Sequence, residues 1–130
     1  MPNASAKAEH LSTASLRALG DALALRSKIA SSLRRAFESA GFLETETPVG
    51  ILAPAPEEYI EAPGAGSFFL RTSPELQMKR LLAAGMERIY QLGPCFRAGE
   101  SGTKHRPEFT MLEYYMAGAD YLELLDFTKS

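Results

Sequence analysis

Between Phe96 and Phe109 the chain concentrates residues able to grip an anion. Arg97, Lys104, His105 and Arg106 place three fixed charges and a titratable donor around a polar loop that also holds Gly99, Glu100 and Gly102. Such a loop between two strand-like runs can hold a phosphate. Phe109 adds a flat apolar face suited to stacking on a purine. Two readings are open. In one, a hairpin holds a nucleoside triphosphate. In the other, it is a solvated surface hairpin, which local composition alone favours because short charged loops are common on surfaces. His105 could act as a base, but beside Lys104 and Arg106 it suits a phosphate donor better.

After the loop, alternation of side chains puts Phe109, Met111, Glu113 and Tyr115 on one face of a strand. Glu113 then stands among apolar and aromatic neighbours and needs a partner, because an unpaired buried charge costs several kcal/mol. A ligand ammonium group and an internal arginine are equally good candidates. Glu75 opens a helix, where a carboxylate ordinarily just complements the helix dipole. It joins the site only if that helix start faces the same cleft. No nucleophile, base and orienter set is visible. The chemistry implied is positioning and charge neutralisation.

The elements that must position these residues are readable in outline. The first residues are small and polar, which predicts a flexible tail over 1–14. A helix follows over about Ser15–Ala40, with Leu25, Ile29, Leu33 and Phe37 as its apolar stripe. Gly20 is an internal weak point, and Gly41 suits the left-handed residue that ends the helix. Phe42–Thr47 reads as an edge strand stopped by Pro48. Ile51–Gly66, rich in Pro and Gly, reads as a loop.

Ser67–Arg71 reads as a short strand. Thr72 and Glu75 have capping-box spacing, with Ser73–Pro74 as a competing helix start. The helix they open has Leu76, Leu81 and Leu82 as buried candidates and closes at Gly85. Arg88–Arg97 and Glu108–Met116 form the two long strands, with Gly93–Pro94 marking a bulge or bend in the first. Asp120 and Glu123 repeat the capping-box spacing before a last helix.

The totals narrow the class. At 130 residues the chain supports one modest domain. A net charge of -2 supplies no global basic field for nucleic acid, although a local patch is compatible with it. The single cysteine, Cys95, excludes an internal disulfide framework and a multi-cysteine metal site, and fits a reducing cytoplasm. No apolar run approaches a membrane span, and no secretory signal is visible.

Three segments together resemble the catalytic core of class II aminoacyl-tRNA synthetases of the lysyl type. The helix with Arg26 and the run Gly41–Pro48 resemble the first class II motif, which forms the dimer interface. Thr72–Leu82 resembles the start of the lysyl subgroup's amino-acid-binding helix. Phe96–His105 and Pro107–Tyr115 resemble the second motif and its continuation. Within the subgroup the chain is most similar to the elongation factor P lysine aminoacylase family. The first motif begins almost at once, which leaves no room for an anticodon-binding domain. The string Thr72-Ser73-Pro74-Glu75 followed by Met78–Gly85 also looks like that family.

The resemblance implies an α+β fold: a class II synthetase-type antiparallel β-sheet flanked by helices, here its N-terminal half over residues 15–130. It implies a cytoplasmic homodimer that activates lysine or β-lysine with ATP and magnesium and transfers it to a lysine of elongation factor P. Transfer to lysine tRNA is the alternative, and a truncated non-catalytic binding paralogue is another. Arg97 would be catalytic, holding the α-phosphate and the carboxylate being activated. Gly99, Glu100, His105, Arg106 and Phe109 would complete the ATP site. Ser73, Pro74, Glu75 and Tyr115 would line the substrate pocket, and Glu113 would receive the ammonium group. No residue set is expected to bind metal. The sequence departs from the family pattern at Ala98, Gly99 and Arg106, where Asn or Glu is usual. The third class II motif, with its second ATP-binding arginine, is not among these residues.

Overall fold

The computed structural model describes residues 12–129. The expected tail over 1–14 therefore lies largely outside the described residues. Two units are distinguished, residues 1–35 and 36–130. The first contains most of helix α1 (Thr13–Ser39). Gly20 does not divide that helix. Of the expected stripe, Leu25 and Ile29 are exposed in this unit, together with Leu16, Leu19 and Leu23.

The second unit begins with the end of α1. Gly41 takes φ 77°, the left-handed conformation that glycine reaches without a Cβ clash. The Phe42 amide donates to the Phe37 carbonyl and the Gly41 amide to Glu38, which caps the free carbonyls of the last turn. The chain then forms β1 (Leu43–Glu44), β2 (Gly50–Ile51), β3 (Gly64–Ala65), β4 (Phe68–Leu70), α2 (Glu75–Ala83), β5 (Arg88–Phe96), β6 (Glu108–Met116) and α3 (Tyr121–Lys129).

The result is α+β, as expected. One sheet has the order β1-β5-β6 and the other β2-β4-β3. All pairings are antiparallel except that β1 runs parallel to β5. The expected edge strand over 42–47 shortens to β1, and the Thr45 amide bonds to the Tyr90 carbonyl beyond it. The Pro- and Gly-rich segment 51–66 is not wholly a loop, because both its ends pair with β4.

Gly93–Pro94 makes no bulge. The β5–β6 register runs unbroken from Arg88↔Met116 to Phe96↔Glu108. The Phe96 amide points away from β6, to the Arg71 carbonyl. Pro94, two residues earlier, turns its nitrogen to the same outer edge, so no β5–β6 hydrogen bond is lost.

The two faces of this hairpin differ in chemistry. Tyr90, Leu112, Tyr114 and Met116 pack with Phe37, Phe42 and Phe127 into an aromatic core. Phe37 stacks on Tyr90 at 4.7 Å and meets Phe42 edge-on at 5.2 Å. Arg88 closes one end, lying over the Phe42 ring and donating to the Ala40 carbonyl at the end of α1. The opposite face carries Gln91, Gly93 and Cys95 across from Glu113, Met111 and Phe109.

The helix starts also divide. At α3 the expected capping box forms, with the Glu123 amide donating to Asp120 and the Asp120 amide donating to the Glu123 carboxylate. At α2 it does not. Pro74 occupies the cap position with no side-chain cap bond, and the Glu75 carboxylate accepts from Lys79 instead. Met78, not Leu76, is the fully buried residue of α2.

Candidate active site

The polar hairpin face brings the expected residues into two groups at its two ends. At the loop end the Arg97 amide donates to the Pro107 carbonyl, which extends the strand pairing and fixes the base of the loop. Gly99 takes φ 74°, turning the chain where a side chain would be strained. The Ala98 amide donates to the Glu61 carbonyl, so the segment between β2 and β3 is tied to this turn.

The Arg97 guanidinium lies 5.1 Å from the Phe109 ring centroid. It reaches Glu100 at 3.7 Å, a loose and partly solvated pairing. Its Nε is buried and has no hydrogen-bond partner. A donor left unpaired inside a protein costs free energy, and an anion seated here would satisfy it. Lys104, His105 and Arg106 stand exposed in the loop. They share the loop with Arg97.

At the other end Tyr115 donates its hydroxyl to the Glu113 carboxylate. Among the described residues no arginine lies within ion-pair distance of Glu113, and the charge of Arg71 acts on it from farther off. Burial pushes the Glu113 carboxyl up from its ordinary range; Tyr115 pulls it down, and the nearby charge of Glu75 pushes it up again. Tyr115 is driven far up, first by burial and then by its bond to Glu113. The charge of Glu75, at the start of α2, therefore reaches Glu113. Pro74 is buried, and the Ser73 hydroxyl accepts weakly from the Glu75 amide at 3.4 Å.

Between these ends lies a set that the sequence did not mark as functional. Arg71 is 2% exposed. Its Nε donates to the Pro94 carbonyl at 2.9 Å, and its Nη1 donates to the Thr47 carbonyl and hydroxyl. Thr47 in turn donates twice to the Gln91 side-chain oxygen. The available signal was Gly93, since glycine inside a strand marks a close approach. A Cβ there would stand 2.9 Å from an Arg71 nitrogen.

Neither end coincides with the ≈ 250 Å³ hollow lined by Glu87, Arg88, Met116 and Gly118, which lies at the far end of the hairpin from the loop. Among the described residues no three of His, Cys, Asp and Glu gather into a metal-binding cluster. No helix there is long and apolar enough to cross a membrane.

Residues 2–130 match the family described as tRNA synthetases class II (D, K and N). The chain belongs to that family. The lysine–tRNA ligase of Streptococcus agalactiae serotype V is 40% identical to this synthetase chain over 133 residues, covering 92% of the chain and 25% of that protein. Those of Pasteurella multocida and Histophilus somni are 41% and 42% identical over 110 residues, covering 81% of the chain and 22% of each protein. The synthetase chain thus spans about a quarter of the length of these curated relatives.

Proposed function

We propose that this chain forms part of an ATP-dependent ligase that activates lysine as its adenylate. The carrying observation is one sheet face with Arg97 and Phe109 at one end and Glu113 and Tyr115 at the other. Phe109 and Glu113 are ~13 Å apart along the strand, at ~3.3 Å per residue. That leaves room for an amino acid with its carboxylate at the phosphate and its ammonium group at Glu113.

In this reading Arg97 holds the α-phosphate and the lysine carboxylate. The carboxylate oxygen attacks the α-phosphorus in line, pyrophosphate departs, and Arg97 stabilises the charge that builds. His105 and Arg106 contact the distal phosphates, Gly99 and Glu100 shape the loop around the nucleotide, and Phe109 stacks on adenine. Ser73, Pro74, Glu75 and Tyr115 line the lysine pocket. Magnesium travels with the triphosphate and neutralises part of its charge.

For the acceptor, tRNA is the reading the relatives support, since each is named lysine–tRNA ligase. Elongation factor P is the second reading, carried by the string Thr72–Glu75 followed by Met78–Gly85. Exposed leucines along α1 support a homodimer through that helix. Incubating the complete protein with ATP, labelled lysine and either acceptor separates the two readings. Label on tRNA alone supports the first, and label on elongation factor P alone supports the second.

A further inference from the structure

A buried arginine without an acidic partner is unusual enough to require a reason. Arg71 is such a residue: among the described residues, no carboxylate lies within ion-pair distance of it. Its backbone is also committed, the amide to the Val49 carbonyl and the carbonyl to the Phe96 amide. It therefore joins the β2-β4-β3 sheet to the edge of β5. Gly93 leaves the space its guanidinium fills. Through Thr47, Arg71 fixes the side-chain oxygen of Gln91, which two donors hold at 2.9 and 3.1 Å. With its oxygen so held, the Gln91 amide cannot flip. Gln91 pairs directly across the strands with Glu113.

We propose that Arg71 is a positioning residue of the lysine pocket: it fixes the Gln91 amide beside Glu113 and balances the charge of that carboxylate. The inference rests on the reading of Glu113 as the ammonium acceptor. The charged and titratable groups around Glu113 are Tyr115 on its own strand, Cys95 on β5, Glu75 and Lys79 on α2, and Arg71. Arg71 and Lys79 are the two cations of that set, and Lys79 is already engaged by Glu75.

The test measures lysine and ATP binding separately, by calorimetry on the complete protein, across an acid-to-neutral pH series. In Arg71→Gln, Gly93→Ala and Thr47→Val, lysine Kd should rise about tenfold or more, as displacement of a positioned group does, with ATP Kd unchanged. In Arg71→Gln the pH at which lysine binding fails on the acid side should move upward, because a cation favouring ionised Glu113 has gone. In Thr47→Val it should stay, because the charge remains. Should Arg71→Gln not fold, Gly93→Ala and Thr47→Val still decide the matter through the lysine-against-ATP comparison. Parallel loss of both ligands with a lowered Tm would make Arg71 a structural residue only and overturn the proposal. Unchanged lysine Kd in folded variants would overturn it as well. If the wild-type protein binds ATP but no lysine, the pocket reading falls and takes this inference with it.

Discussion

The Arg97 guanidinium stands over the Phe109 ring, 5.1 Å from its centroid, with its buried Nε unpartnered. The cation–π contact aims the fork, and the missing partner leaves a donor for an arriving anion. Replacing Arg97 by Ala in the complete protein should slow adenylate formation by about 3 kcal/mol, the usual loss when one transition-state donor is removed. Single-turnover kinetics measure it. A near-normal rate would make Arg97 a structural residue.

Phe109→Ala should raise the apparent Kd for ATP by about 1–3 kcal/mol, the range for base–aromatic stacking. Lysine affinity should stay close to wild type, since Glu113 and Tyr115 keep their own contact at the other end of the face. Calorimetric titration of each ligand checks the separation.

Glu113→Gln should weaken lysine binding about tenfold or more, as loss of a charged hydrogen-bond partner does, with ATP binding retained. Its stability should move the other way. Burial raises the Glu113 carboxyl in the folded protein, so the folded state holds that proton more tightly than the unfolded chain. Stability from this group is therefore fully present below the ordinary carboxylate range and is lost as pH rises through the raised folded value. The glutamine variant avoids that loss. Thermal melts should give it a higher Tm than wild type at neutral pH, with the difference vanishing in acid.

Phe37→Ala should cost about 3–5 kcal/mol, the range for removing a buried aromatic. Phe37 meets Phe42, Tyr90, Tyr114 and Phe127 in the core. Urea unfolding followed by circular dichroism measures the shift. A midpoint equal to wild type would mean that this cluster does not hold the second unit together.

Much of this architecture was legible in the sequence because local chemistry decided it. Gly41 ended its helix, Asp120 and Glu123 capped theirs, and period-two alternation put Phe109, Glu113 and Tyr115 on one face. What the sequence hid depended on distant partners. β2 and β3 are strands only because β4 lies between them, and their own Pro- and Gly-rich surroundings say loop. Gly93–Pro94 looked like a break because nothing local tells which edge the Pro94 nitrogen faces. Thr72 and Glu75 had the spacing of a capping box, yet Lys79 captured the glutamate. Periodicity marked Leu25 and Ile29 as a face without showing what, if anything, meets it. Arg71 passed as one residue of the short strand Ser67–Arg71, since its seat is built by Thr47, Gly93 and Pro94 from other elements.

We propose that this face activates lysine with ATP. Lysine-dependent exchange of labelled pyrophosphate into ATP by the complete protein tests it most directly. Exchange that requires lysine and is lost in Arg97→Ala is the expected result. Absence of exchange with lysine, or equal exchange with and without it, would mean that this face does not activate lysine.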